Sequence, residues 1–464
     1  VTTLREHVAA LDGADDLLRI EQRVHWATDA PAIAAEAARE NGPAILFENV
    51  PGTARLVSGA YGGPDQMQPR TRMPWSRVAV ALGRDGDLPY TRLLQRLSAT
   101  ASANATPTRT ELAATYGESD PYSLGLPAVG SAAGPAVTLG LIAVSADDGT
   151  TWAPIRGAVK GSAELVASVP AALGDSLSPG TDATIALGAP LACLVAAALR
   201  WTGDAGYGDP LGIAGTLDEV SVAEARGGLV PASAEAILDG TVSDVGGRPS
   251  RRAESWEYAT STTEIGLRLT DIALRDDPLI PFTPVGAPLA DDIHLAGLVE
   301  AARLYHRLNS YWGVTPVEWI ALPVETKLGM CLVASEILYA GFEWQLANTL
   351  FSFSRLFDKV LVLDADAPAA TLARAFDDMW VKAHPSHDWQ FSEPAAPAAT
   401  ATAYRRDGTP GSRLYINATW DPRWDDEYIA PRVGFETSFP DDVREFVLDN
   451  WRDMGFSSTP EEEE

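Results

Sequence analysis

Between Ala136 and Thr283 the chain is cut at short intervals by Gly, Pro and Asp into apolar runs: VTLGLIAVSA, TIALGAP, LGIAGTL, AEAILDGTV and IGLRLTDIAL. Runs this short, separated by turn formers, are the pattern of β-strands. Several in succession predict a largely β region, a barrel in particular. Leu191–Leu199, embedded among them, is the one apolar helix the pattern suggests. The flanks read differently. Thr3–Leu11 carries apolar residues at helical spacing and stops at Asp12-Gly13-Ala14-Asp15; Leu17–Val24 alternates apolar with charged residues. Pro31–Arg39 is Ala-rich and helical, and Ala44–Phe47 is a short buried strand. Helix, strand, helix, strand is an α/β opening. After Pro288 the pattern predicts helices over Ile293–Asn309 and Lys327–Leu350, a strand over Lys359–Asp364 and a helix over Ala369–Lys382. A last helix, Pro440–Met454, carries Val443, Phe446, Val447 and Trp451 at helical spacing and should dock on another domain or subunit.

The expected fold is therefore α/β (α+β) in three parts: residues 1–125, an N-terminal α/β domain; 126–290, a central β-barrel domain; and 291–456, a C-terminal α/β domain. Residues 457–464 form an acidic, disordered tail. A chain of 464 residues, 46% of them apolar, has enough material for such cores. Net charge is −28 with no basic cluster, which argues against nucleic acid, since phosphate contacts need Lys and Arg to displace counterions. The same charge repels anionic lipid. No signal peptide or long apolar stretch is present, and a cytoplasmic protein is expected.

Few motifs carry chemistry on their own. Cys193 and Cys331 sit in apolar runs and read as small buried hydrophobes. The Gly pairs fit no phosphate-loop pattern, and neither a nucleophile elbow nor a zinc-binding helix motif occurs. His384 and His387 flank Pro385, which breaks any helical face, so they read as loop residues. The segment Arg251–Tyr258 stands out. Arg252, Glu254 and Glu257 lie beside Trp256 and Tyr258, a combination that places a proton-transfer group next to an anion-binding group. A solvated, self-paired loop has the same composition.

Longer stretches resemble a known family. The opening LREHVAALDGADDLLRIEQRVHWATDAPAIAAEAARENGPAILFENVPG is similar to the first segment of the UbiD decarboxylases. TTWAPIRGAV, ATIALGAPLACLVAAAL, IAGTLDEVSVAEARGGLVPASAEAILDGTV and LRLTDIALRDDPLIPFTPVGAPLADD follow in the family's order. GSRLYINAT and SFPDDVREFVLDNWRDMGF resemble its end, the latter as in the ferulic-acid-type decarboxylases. The resemblance implies a central split barrel that binds flavin and a C-terminal domain that forms homodimers or higher homo-oligomers. It also implies non-oxidative decarboxylation of a small unsaturated or aromatic acid, with prenylated FMN held through its phosphate by a divalent metal.

The residues depart from that pattern. Of the family's Asn, His and Glu metal ligands only Glu224 matches; the others fall on Thr138 and Ile155, and isoleucine ligates nothing. The divalent metal site is expected to be lost. The catalytic Arg position falls on Ala143. The family's two catalytic acids map onto the segment with Arg252, Glu254 and Glu257, with Glu257 the expected proton donor. Arg156, Gly157 and Arg413 are the expected cofactor-binding residues. Two classes of function follow: a divergent UbiD-like carboxy-lyase with a remodelled site, or a silent paralogue that serves as a partner subunit or small-molecule binder.

Overall fold

The computed structural model describes residues 2–62, 73–117, 120–128, 135–146, 149–161, 163–202, 207–247, 262–284, 291–311, 317–367, 372–392, 396, 411–425, 427, 429 and 435–455. Its centre is a closed antiparallel barrel of six strands: Ala136–Ala146, Gly149–Lys160, Glu164–Pro170, Asp182–Leu187, Ala236–Gly247 and Thr262–Leu274. The first lies between the second and fourth, and the last two pair with each other to close the ring. Alternation decides the two faces. Val137, Ile142, Ala153, Ile155, Ile185 and Ile265 point into one apolar cluster, while Leu139, Leu141 and Trp152 on neighbouring positions join another.

That second cluster is built on the helix Leu191–Trp201, nine of whose residues are buried. It is apolar on every side because barrel and flanking helices cover it all round. Each fully buried Leu or Val there contributes about 1.5–3 kcal/mol.

Before the barrel, helix Leu4–Gly13 starts at a capping box, with Thr3 and Glu6 satisfying each other's backbone amides. It packs on a four-stranded sheet of Leu17–Ile20, Ala44–Phe47, Arg55–Ser58 and Leu279–Pro281. The last strand arrives from beyond the barrel, so this sheet carries the chain directly from barrel to C-terminal region. There a five-stranded sheet is ordered Val317–Ala321, Met330–Ser335, Lys359–Asp364, Leu414–Ala418, Trp389–Phe391. The long helix Asp291–Tyr311 joins the two halves.

Two expectations differ from the structure. LGIAGTL is not a strand but most of the helix Pro210–Leu217: Asp209 caps it through the amides of Leu211 and Gly212, and Pro210 occupies its first position. Lys327–Leu350 is not one helix. Lys327 and Leu328 turn with positive φ, Met330–Ser335 is a strand, and a helix begins only at Phe342 after Gly341 (φ 96°). MCLVAS is buried at every position, so a central strand covered on both faces shows no alternation and is easily taken for a helix. The terminal helix is Asp441–Asn450, and none of its residues is buried within the chain; Phe446 is 60% exposed. It does not dock on the chain's own described domains. The acidic tail lies outside the described residues.

Candidate functional site

Where the barrel meets the long helix, the structure buries several charged and polar groups together. The second barrel strand presents Arg156, with its side chain 15% exposed, toward the first turn of Asp291–Tyr311. Asp291 and Asp292 in that turn are each 1% exposed and His294 8%. Acidic residues at a helix N-terminus are ordinary; complete burial of two is not.

Thr283 fixes the arrangement. Its amide donates to Thr138 Oγ1 at 3.0 Å, at the irregularity between Val137 and Gly140 in the first barrel strand, and its hydroxyl donates to Asp292 Oδ1 at 2.8 Å. Asp291 Oδ1 accepts from the amide of Tyr61 at 2.8 Å. Burial pushes the Asp291 carboxyl up to about 7, against the opposing pull of that amide and of the Arg77 charge. Asp292 is raised as well, again by burial first, with the Arg156 charge and the Thr283 hydroxyl opposing it. Burial holds His294 down to about 4.

Not every atom here is satisfied. Arg156 Nη1 and Asp292 Oδ2 are 4.0 Å apart, beyond hydrogen-bond reach, and neither has another partner; His294 Nε2 has none either. A buried polar group left unmatched costs about 1–3 kcal/mol, more when charged. Such a cost is removed where a ligand, an ordered water or an ion completes the bonding.

The other expected site residues fall elsewhere. Gly157 stands next to Arg156 but closely faces the third barrel strand: a Cβ there would lie 2.7 Å from Ala167 Cβ and Val166 O. Arg413 immediately precedes the strand Leu414–Ala418 and places its guanidinium 5.1 Å from the Phe351 ring centre. Glu224 is on a separate three-stranded sheet, its side chain 67% exposed and bound to Arg109 at 2.6 Å. Arg252, Glu254 and Glu257 lie outside the described residues. Asp291, Asp292, His294 and Thr283 escaped the sequence reading. The ADD of PLADDIHL was the available signal, yet it looks like any acidic helix start.

Thr138, Ile155 and Glu224, the positions to which the resemblance maps the metal ligands, do not bring their side chains together as one set of donors. Thr138 Oγ1 already accepts an amide, Ile155 is buried among the barrel's inner apolar residues, and Glu224 is neutralised by Arg109. Among the described residues no cluster of three or more His, Cys, Asp or Glu is placed to hold a metal.

Two family models match the chain. They are the 3-octaprenyl-4-hydroxybenzoate carboxy-lyase N-terminal domain over residues 8–97 and the C-terminal domain of the same enzymes over 293–418. The chain belongs to the UbiD family of carboxy-lyases. Solved UbiD-class structures carry the same fold between and across these segments. The open form of vanillic acid decarboxylase from Sedimentibacter hydroxybenzoicus matches with a TM-score of 0.76 at 18% identity, covering 98% of this chain and 99% of that one. HmfF from Pelotomaculum thermopropionicum in complex with FMN gives 0.74 at 18%, covering 93% and 97%. Klebsiella pneumoniae 3,4-dihydroxybenzoic acid decarboxylase gives 0.74 at 16%, covering 97% and 99%. Identity this low establishes the shared fold alone. Among the described residues of this UbiD chain no helix is long and apolar enough to cross a membrane.

Proposed function

We propose that this UbiD protein is a non-oxidative decarboxylase, or carboxylase in reverse, of a small unsaturated or aromatic carboxylic acid, working in an altered cofactor and metal site. The reading is carried by one observation: at the junction of barrel and long helix, Arg156 keeps a buried donor uncommitted. A guanidinium is the side chain best suited to hold a carboxylate. The site domain in this reading is residues 126–290, and the C-terminal α/β domain of residues 291–456 adjoins it through the long helix.

The cofactor in this proposal is prenylated FMN, which the evolved dimeric form of HmfF binds. Bound, it would supply an acceptor for the electrons left when CO₂ departs. Arg413 is the cation proposed for its phosphate, without the bridging metal. The family resemblance gives the proton-transfer and anion-binding roles to Glu257, with Glu254 and Arg252, in the segment 251–258. The protein is proposed to work as a homodimer or larger homo-oligomer, with the exposed apolar residues of Asp441–Asn450 covered by a second copy.

The test is to co-express the chain with a flavin prenyltransferase and measure the visible spectrum, the mass of bound material, the metal content, and CO₂ release from a panel of aromatic and α,β-unsaturated acids. The proposal expects a flavin-type spectrum, less than one divalent ion per chain, and CO₂ from at least one acid. One divalent ion per chain that is lost in Glu224→Gln contradicts the altered metal site. No CO₂ from any acid contradicts the decarboxylase.

A further inference from the structure

Arg156 Nη1 and Asp292 Oδ2 limit what can bind between them. One is a buried donor without an acceptor, the other a buried carboxylate oxygen without a donor, and 4.0 Å separates them. The Asp292 half of the pair is fixed: Thr283 holds Asp292 Oδ1 from one side and is itself held by Thr138. A phosphate dianion would bring two charges against Asp291 and Asp292, both 1% exposed, and like charges at that burial repel strongly. A singly charged carboxylate needs only one proton on Asp292 to fit. One of its oxygens then accepts from Arg156 and the other from Asp292.

Building on the reading of this chain as a decarboxylase, we propose that Arg156 and Asp292 receive the carboxylate of the acid substrate. Arg156 engages it through Nη1–H and Asp292, as the carboxylic acid, through Oδ2–H; Asp292 then returns its proton to the carbon from which CO₂ leaves. The bonds balance. The C–C bond to the carboxylate breaks, its electron pair stays with the substrate carbon, and that pair forms a C–H bond with the proton from Oδ2. CO₂ departs and Asp292 is left as a carboxylate, which regains a proton from solvent before the next turnover. No oxidant or reductant is needed. In this account Asp292, rather than Glu257, is the catalytic proton donor and Arg156, rather than Arg252, binds the substrate, while Thr283 positions Asp292.

Asp291, next to Asp292 on the long helix, is the other charged group coupled to this pair, and Arg77 on the helix Ser76–Ala81 acts in turn on Asp291 and His294. Arg77 is occupied by Asp16 and by the Gly59 and Gly42 carbonyls, so it does not compete for the substrate.

The experiment uses protein purified from co-expression with the prenyltransferase, with benzoate and cinnamate as carboxylate probes. Calorimetric titration reads binding, and CO₂ release from the acid panel reads turnover. Arg156→Gln should weaken binding of the better probe at least about 10-fold, the loss expected of a charged hydrogen-bond donor. Asp292→Asn should bind within about 3-fold of the parent, because its amide N–H still donates. Its CO₂ release should fall about 10²–10⁴-fold, because it carries no transferable proton. Asp292→Glu restores the proton on a longer stem and should recover part of that loss, which a merely structural role would not do. Parental turnover by Asp292→Asn overturns the inference and leaves the decarboxylase standing. If the parent releases no CO₂ from any acid, the decarboxylase reading fails and the titrations still decide the site: loss of binding in Arg156→Gln supports it. Unchanged binding in that variant, or no binding of either probe by the parent, overturns it. Should Asp292→Asn fail to fold, the Glu and Arg156→Gln variants decide.

Discussion

Glu235 and Asp292 are both carboxylates buried against arginine, and they are finished differently. Glu235, with 0% of its side chain exposed, accepts from Arg5 at 2.7 and 2.8 Å, from Arg275 at 3.2 Å and from the amide of Leu279 at 3.1 Å. It ties the first helix to the loop after the barrel. The close contact leaves room for nothing larger than glycine at Gly188 (φ 66°), where a Cβ would sit 2.5 Å from Glu235 Cγ. Asp292 has one oxygen in use and one idle, with an idle guanidinium nitrogen 4.0 Å away. A buried charge whose hydrogen bonds are complete belongs to the architecture; one left open at a junction of two structural halves is available to a ligand. The Asp16–Arg77 pair, fully bonded and 2–3% exposed, falls with Glu235.

The largest effect that sharpens this contrast is expected at Glu235. Glu235→Ala should lower stability by about 3 kcal/mol, toward the lower end of what breaking a buried pair costs, because Arg5 and Arg275 keep some solvent contact. Urea unfolding checks it. A change below about 1 kcal/mol would mean the clamp is not architectural.

A smaller effect is expected at Asp291, and its sign can be worked out. Its folded carboxyl titrates near 7, above the ordinary carboxylate value. The stability linked to its proton is therefore complete in acid and is lost as pH rises toward 7, by at most roughly 1.4 kcal/mol per pH unit. His7 and His294, both held down to about 4 by burial, act oppositely, losing stability as pH falls below their ordinary value of 6.5. The two trends overlap, so the parent's pH profile alone does not separate them. The difference between Asp291→Asn and the parent does: the variant should gain relative stability from pH 4 to 7. A flat difference would remove Asp291 from the set of charged groups held out of water.

The smallest effect is expected at Glu224. Its ion pair with Arg109 is mostly in solvent, and Glu224→Gln should change stability by no more than a few tenths of a kcal/mol and leave metal content unchanged. Unfolding and metal analysis read both.

How much of this was legible in the sequence depends on how local the cause is. The barrel strands alternate or run apolar between turn formers, and that survives in the sequence because each strand's faces are set by its own neighbours. The helix at Pro210 was legible too, through Asp209-Pro210, but LGIAGTL next to true strands concealed it. Met330–Ser335 was not, since a strand buried on both faces has no period to read. The site is the least legible part. Asp291 is buried by the amide of Tyr61, 230 residues away, and Asp292 by Thr283 and Thr138, which come from two different parts of the chain. In the sequence these aspartates are two acids at a helix start. Family resemblance was likewise legible over long stretches, whereas the surroundings of Thr138, Ile155 and Glu224 were not.

The most direct measurement is a paired thermal melt of Glu235→Gln and Asp292→Asn, two substitutions of the same chemical size at two buried carboxylates. The account predicts that Glu235→Gln melts several degrees below the parent while Asp292→Asn melts at or above it, because the first breaks a complete set of bonds and the second replaces a carboxyl whose second oxygen the folded protein leaves unmatched. An Asp292→Asn protein that melts as far below the parent as Glu235→Gln would contradict it, and would place Asp292 with the architecture rather than with the site.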